Sequence, residues 1–333
     1  MRGNIDRLAE KLKEAGQVEL VSHMNPDGDT IGSALATQRI LDRLGIPSRV
    51  YCRDRAPEPV DFLPGAAEIL PLTSLPEHPQ VLMFLDCADY DRVASPGDPG
   101  RESLDRAFTG ADVTLQMDHH VTNPGYCGEN VVENTSAAGV LVHELARSLN
   151  VPLDREIAEC LYVALATDTG NFTQNNTDSA SMRVMADILE TGFDLVPVCR
   201  RLFTERRPQQ ARLIGEALRT LTFAENGHVA FMSVSREAME RAGARDADAE
   251  NLVNFARDIT GVHMAFLARE TQDGIRVNIR SIAPWTIHET ALSLGGGGHR
   301  QASGVTLKEH TLEAAVQEIA GRLAESHRQQ EKA

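Results

Sequence analysis

Residues 18–29 read VELVSHMNPDGD. The apolar run VELVS (18–22) is a short strand, and it ends in a stretch carrying one histidine and two aspartates, His23, Asp27 and Asp29. Only Met, Asn, Pro and Gly separate them, and no lysine or arginine neutralises them. The spacing then predicts a helix over 29–44, with Asp29 near its N-terminus and Gly45 past its end. A strand, an acidic turn and a helix in immediate succession form one half of a β-α-β unit, and the neighbouring pattern supplies the rest. Residues 4–15 show helical periodicity through Leu8 and Leu12. SRVYC (48–52), VLMFLD (81–86) and VTLQMD (113–118) are strand-like, and helices are expected at about 135–149, 153–167 and 178–190. Such alternation predicts an α/β domain built on a mainly parallel sheet flanked by helices.

Four segments of this first half carry unusual polar groups: HMNPDGD (23–29), DCAD (86–89), DHH (118–120) and TDTGNF (167–172). Three follow apolar strands directly, and strand C-terminal ends line the ligand crevice of an open α/β sheet. The fourth ends an apolar helix. Taken singly, each has an ordinary reading: Asp29 can cap a helix, and Asp168 can close a turn. Taken jointly, Asp27, Asp29, Asp86 and Asp168 would repel one another unless cations entered. Two divalent ions balance four carboxylates, and His23 and His119 then serve as neutral nitrogen ligands. Mixed carboxylate and imidazole donors suit manganese better than calcium, and magnesium usually takes fewer imidazoles.

The bulk numbers agree with an enzyme of this kind. At 333 residues the chain is long enough for two domains. It is 42% hydrophobic and 24% charged, as in a soluble globular protein. No apolar run approaches a membrane span, and the polar start lacks a signal-peptide core, so the expected location is the cytoplasm. Five scattered cysteines without C-x-x-C spacing argue against a disulfide framework or a structural zinc, and are expected to be small buried residues. The formal net charge of −15 disfavours long polyanions. A nucleic-acid substrate is therefore expected to be short. The end, ESHRQQEKA, is expected to fray.

The stretch 191–212 combines breakers with Arg200, Arg201, Arg206 and Arg207, and is taken as the interdomain connection; these arginines are either a solvated face or face substrate. The remaining third has an α+β pattern. Asn226-Gly227 and Asp273-Gly274 each sit between strand-like runs and predict hairpins. Residues 247–258 suit a helix. Another starts near Thr286, followed by a glycine run, a short strand and a last helix over about 311–325. In GGGGHRQASG (295–304), consecutive glycines leave backbone N–H groups approachable by an anion, with His299 beside them. Arg280 offers a fork of donors for a phosphate. Asn123 and Asn171 are candidates to orient ligands or to close turns.

With these motifs in order, the sequence resembles the DHH phosphoesterase superfamily, and GGGGHRQASG is similar to the signature of its associated C-terminal domain. Within the superfamily it resembles the nanoRNase/pAp phosphatase group. The resemblance implies a catalytic DHH domain over 1–190, a linker over 191–212 and a smaller substrate-binding domain over 213–333, with the active-site cleft between the domains. It implies a hydrolase that cleaves short oligonucleotides to mononucleotides and dephosphorylates 3′-phosphoadenosine 5′-phosphate (pAp) to AMP, through two manganese ions and a bridging hydroxide. Magnesium or cobalt are alternative ions. His23 and Asp27 would hold one ion, Asp29, His119 and Asp168 the other, and Asp86 both. Asp86, Asp118 and His120 make the catalytic set, with His120 facing the substrate phosphate. Arg280, Ser281, Gly296, Gly297, Gly298 and His299 would bind substrate. Asn278 and Ser303 depart slightly from the family pattern. Partners are short single-stranded RNA or DNA and pAp, with no membrane, and a homodimer is compatible with the resemblance. The competing readings are a RecJ-like single-strand DNA exonuclease, a cyclic or linear dinucleotide phosphodiesterase, an inorganic pyrophosphatase, and a non-catalytic nucleotide-binding module.

Overall fold

The computed structural model describes residues 2–249 and 251–332, and the chain divides into two compact units, Met1–Glu205 and Arg206–Ala333. The first unit follows the predicted alternation. Helix α1 (Arg2–Lys13) leads into β1 (Val18–Val21), α2 (Gly28–Arg43) and β2 (Ser48–Cys52). Then come β3 (Leu70–Pro71), β4 (Val81–Leu85), α3 (Arg101–Gly110), β5 (Val113–Asp118) and β6 (Glu129–Val132). Helices α4 (Ala138–Ser148), α5 (Arg155–Asp168), α6 (Ser179–Glu190) and α7 (Leu195–Cys199) complete it, and α7 runs into a π-turn over Arg200–Thr204.

The six strands are parallel, in the order β3-β2-β1-β4-β5-β6. The chain leaves β1 toward one edge and returns through β4 toward the other. The switch point therefore lies between β1 and β4, where doubly wound sheets open a crevice at their C-terminal ends. Alternate residues of the central strands serve opposite faces. Leu20, Met83, Leu85 and Leu115 pack with Leu8, Leu12, Ile31, Leu141 and Leu161 of the helices. Val21, Leu82 and Phe84 pack with Leu104 and Ala107 of α3. All five residues of β4 are buried, which explains its unbroken apolar run. Helix α2 closes tightly on α5: a Cβ at Gly32 would lie 2.5 Å from the Cys160 carbonyl oxygen, and one at Gly28 would lie 2.4 Å from Thr167 Cγ2.

The second unit begins with α8 (Pro208–Leu218), β7 (Thr222–Ala224), β8 (Val229–Val234), α9 (Arg236–Ala242) and α10 (Asn254–Arg257). It continues with β9 (Met264–Thr271), β10 (Gly274–Ser281), α11 (His288–Ser293), β11 (Gly297–His299), β12 (Ala302–Leu307) and α12 (Leu312–Glu331). Its sheet runs β11-β12-β10-β9-β8-β7 and is mixed, with β8 and β9 parallel and the other pairs antiparallel. Helices α8 to α10 cover Met232, Val234 and Leu267 on one face. The other face buries Phe266, Val277, Ile279 and Val305 against Ile319 and Leu323 of α12.

Both predicted hairpins form. Asn226 and Gly227 take left-handed φ values of 54° and 95° between β7 and β8, while Gly274 pairs with Thr271, leaving Gln272 and Asp273 as the turn. Three expectations are corrected. The helix expected over 247–258 is broken into a 3-10 turn (Asp246–Ala249) and α10, because Asn251 turns left-handed at φ 61°; position 250 lies outside the described residues. The C-terminal stretch does not fray before Glu331, since Gln330 exchanges hydrogen bonds with the Thr286 backbone and His327 is buried; Ala333 lies outside the described residues. Part of the glycine run is not loop but the edge strand β11. Of the cysteines, Cys127 and Cys199 are only half-buried, and none is paired.

Candidate metal centre and anion pocket

The residues after β1, β4 and β5 converge at the switch point, joined by the end of α5. His23 follows β1, Asp27 caps α2 by accepting from Thr30 N at 3.0 Å, and Asp29 lies in the first turn of α2. Asp86 follows β4 directly, and its backbone is left-handed at φ 57°, a conformation that costs a non-glycine residue free energy and gathers at functional sites. Asp118 is the last residue of β5, with His119 and His120 just beyond. Asp168 is the last residue of α5.

Asp86 is the centre of the arrangement. Its Oδ2 lies 3.6 Å from His23 Nε2, and its Oδ1 lies 3.4 Å from His119 Nε2. His23 Nε2 is 3.9 Å from Asp27 Oδ2. His119 Nε2 is 3.6 Å from Asp29 Oδ2 and 3.9 Å from Asp168 Oδ2. Two donor sets result, His23–Asp27–Asp86 and Asp29–His119–Asp168, each gathered within 4.8 Å and linked by a third, Asp86–His119–His120.

The surrounding groups fix the orientation of these donors. His23 Nδ1 bonds Met24 O at 2.8 Å and His119 Nδ1 bonds Thr135 O at 3.1 Å. A carbonyl partner makes Nδ1 the protonated nitrogen and leaves Nε2 as the lone-pair donor, the usual outer-shell device for a metal-ligating imidazole. Asp29, fully buried, accepts from Ser33 Oγ and from the Ala138 and Gly139 backbone amides that open α4. Asn176 Nδ2 donates to Asp168 Oδ2 at 3.2 Å and to Ser136 O at 3.0 Å. Asp118 is buried between Asn123, which donates to its Oδ2 at 2.5 Å, and His120 Nδ1, 2.9 Å from its Oδ1. Asn123 and Gln116 both donate to Cys87 O and so hold the chain just after Asp86.

The electrostatics ask for cations. Burial and the Asp86 charge push the Asp29 carboxyl well above the ordinary carboxylate range. Burial, opposed by His119 but reinforced by Asp86, raises Asp168 to about 6. Burial alone would lower His119, but Asp86 and Asp29 outweigh it and push it up to about 10. Burial would likewise raise Asp86, yet His119 and His23 hold it down at about 2. The cluster thus carries protons where ions would otherwise neutralise it. Asp86 Oδ1 is buried and has no hydrogen-bond donor. An orphaned buried carboxylate oxygen facing imidazole nitrogens is the vacancy in bonding that a divalent ion fills, so the donor set fits a pair of such ions.

In the second unit, Arg276, Asn278 and Arg280 alternate along β10 opposite Val277 and Ile279, and register with Thr306, Gly304 and Ala302 of β12. They floor a cavity of about 630 Å³ whose wall includes Gly295 to Gly298. Among the described residues, Arg280 Nη1 bonds the adjacent Ile279 carbonyl alone, and its burial and the nearby Arg257 lower its pKa. A Cβ at Gly296 would lie 2.3 Å from Gly304 O, so glycine there lets β11 lie against β12. Of the residues expected to bind substrate, Arg280, Gly296, Gly297 and Gly298 line this cavity, whereas Ser281 and His299 do not. Ser281 points to the other face, and its Oγ donates to Trp285 O. Arg201 pairs with Asp61 and Arg207 with Asp248. Asn176 and Arg276 were not singled out from the sequence. Asn176 stands among several similar asparagines, and the facing of Arg276 depends on strand register.

Residues 17–165 match the N-terminal domain of the DHH family, and residues 226–325 match the DHHA1 domain. The chain belongs to the DHH family, in the form that joins this domain to a DHHA1 domain. Within it, the chain is similar to the bifunctional oligoribonuclease and PAP phosphatase NrnA of Thermus thermophilus, 34% identical over 315 residues that cover 94% of this chain and 91% of that one. The protein of the same name from Bacillus subtilis is 26% identical, covering 86% and 87%. An exopolyphosphatase-related protein from Bacteroides fragilis has the same fold, with a TM-score of 0.86, 23% identity and 97% of each chain covered. Among the described residues no helix is long and apolar enough to cross a membrane.

Proposed function

We propose that the chain is a cytoplasmic phosphoester hydrolase that degrades short oligoribonucleotides to mononucleotides and dephosphorylates pAp. One observation carries the reading: Asp86 turns one carboxylate oxygen to His23 and the other to His119 at 3.6 and 3.4 Å, with Oδ1 buried and lacking a donor. A carboxylate so placed is suited to join two ions. His23 and Asp27 would hold the first, and Asp29, His119 and Asp168 the second. Manganese suits this mixture of imidazole and carboxylate. Such ions supply Lewis acidity and a more acidic bound water.

The chain's own residues do the rest. His120 keeps Nδ1 toward Asp118, which raises its pKa above that of a free imidazole and so favours the charged form that would face a phosphate oxygen. Asp118 and Asn123 hold that ring in place. Arg280 and Gly296 to Gly298 are proposed to grip a part of the substrate remote from the scissile bond, with Ser281 and His299 in support through the backbone of their strands. In this reading residues 1–190 are the catalytic domain, 191–212 the linker and 213–333 the substrate-binding domain. The experiment that tests it is a manganese-dependent assay on labelled RNA oligomers of graded length, beside pAp, single-stranded DNA and a cyclic dinucleotide. Mononucleotide release from the shortest RNAs together with AMP from pAp is expected. Turnover of DNA alone, or of none of these, would overturn it.

A further inference from the structure

Outside both sites, the second unit gathers three imidazoles that the proposed hydrolysis does not use. His228 precedes β8, His263 precedes β9, and His327 projects from α12; one ring nitrogen of each lies within 4.8 Å of the others. His263 Nδ1 and His327 Nε2 are 2.8 Å apart. The rings of His263 and His327 both lie against Trp285, with centroids 4.6 and 4.2 Å away, and His228 lies 4.4 Å from His263. We propose that His228, His263 and His327 form a binding site for a borderline transition-metal dication of the zinc, cobalt or nickel class, separate from the carboxylate-rich centre of the first unit.

The donor chemistry selects that class. Three imidazoles with no carboxylate among them suit zinc, cobalt, nickel or copper, not magnesium, calcium or manganese. Among the described residues no carboxylate forms an ion pair with these rings; Glu225 nearby is engaged by Arg328. His327 is completely buried, and its Nε2 meets another imidazole nitrogen instead of a carbonyl or carboxylate. His228 Nδ1 bonds the Gly261 carbonyl at 2.9 Å, which leaves its Nε2 as the lone-pair donor, as for His23 and His119. Burial and the neighbouring imidazoles lower the pKa of both His263 and His327, while the carboxylates of Glu331 and Glu225 only partly oppose this. For His263 and His327 these influences favour the neutral, ligating form.

Ion entry asks for a small rearrangement. The rings now stack within about 20° of parallel, with one proton shared between His263 and His327. Two nitrogens bound tetrahedrally at about 2.0–2.1 Å stand roughly 3.3 Å apart, so that pair opens by about half an ångström. The shared proton shifts to the other nitrogen of its own ring. His228, half-exposed and at the start of its strand, tilts out of the stack to present Nε2. An ion there would tie β8 and β9 to the last helix.

Trp285 is the chain's sole tryptophan, so its emission reports this site and not the first unit. The full-length protein, preloaded with manganese, is titrated with cobalt chloride and separately with zinc chloride while tryptophan fluorescence is followed. One equivalent of cobalt is expected to quench it saturably. His228→Gln and His263→Gln should weaken the titration by at least the ~10–100-fold that loss of an outer-shell partner costs, and Asp86→Asn should leave it unchanged. His228→Gln, at a half-exposed ring, keeps the comparison open if His263→Gln does not fold. A crystal soaked in cobalt should give an anomalous peak between the three rings. Absence of saturable quenching by either ion, or equal titrations in the wild type and His228→Gln, would show the cluster to be a packing stack alone.

Discussion

Asp86 Oδ1 and His119 Nε2 face each other at 3.4 Å, and that oxygen is buried without a hydrogen-bond donor. On the proposed reading the two would be neighbouring ligands of one ion. Asp86→Asn keeps the volume but removes the charge and turns an amide toward one of the two imidazoles. Hydrolysis of short RNA should fall by at least about three orders of magnitude, as when a group essential to the chemistry is removed. Bound manganese should fall by one or two equivalents in equilibrium dialysis. Near-normal turnover in this variant would remove Asp86 from the centre of the site.

Metal binding should release protons. In the metal-free chain His119 is pushed up to about 10 by Asp86 and Asp29 against its burial, and Asp29 is raised well above the carboxylate range by burial and Asp86. His119 therefore holds a proton at pH 7 and must lose it to ligate, and the upward shift of Asp29 acts in the same direction. The metal-free form binds more protons than the loaded form, so affinity rises with pH. It should fall more steeply below about pH 6, where Asp168, raised to about 6, takes up another. Calorimetric manganese titrations in two buffers of different ionisation enthalpy should show net proton release at pH 7. A count of zero would mean that these groups are not the ligands.

On the proposed reading Asn123 positions His120 through Asp118. Its amide donates to Asp118 Oδ2 at 2.5 Å and to Cys87 O at 3.1 Å. Asn123→Ala leaves buried acceptors short of a donor, which costs about 1–3 kcal/mol of stability. Because Asp118 then holds the imidazole less firmly, kcat for short RNA should drop while KM changes little. A variant with lower stability but unchanged kcat would reduce Asn123 to a turn residue.

Gly32 sets the distance between the helices that carry Asp29 and Asp168. A Cβ there would lie 2.5 Å from the Cys160 carbonyl oxygen and 2.9 Å from the Ala164 amide nitrogen. These are backbone atoms of α5, so relief requires the helices to separate. Gly32→Ala should destabilise the protein by about 1–3 kcal/mol in denaturant melts and weaken manganese binding, although the residue touches no ligand. Gly215→Ala, on an open helix face where nothing lies within 4 Å of the new carbon, should leave manganese binding unchanged and raise stability by about 0.5–1 kcal/mol.

The same separation between local and distant causes divides what was legible in the sequence. Strand β4 was recognisable because a strand buried on both faces is almost wholly apolar, β1 and β5 by their recurring apolar residues, and α2 because Asp29 and Gly45 bracket it, although the structure makes Asp27 the cap. The two hairpins were recognisable because left-handed turns favour Asn and Gly. Even the metal-site candidates were visible, since carboxylates without cationic neighbours at strand ends are costly unless an ion joins them. These are properties of a residue and its near neighbours along the chain, and the sequence by itself determined them. Only the tertiary structure decided that Asp86 stands between His23 and His119, because that depends on β4 returning beside β1. It alone turned Ser281 away from the cavity and Arg276 into it, through the register of β10. And it alone gathered His228, His263 and His327, which no spacing in the chain could announce: side chains brought together by packing leave no period behind them, since the free energy that joins them comes from the burial of other residues.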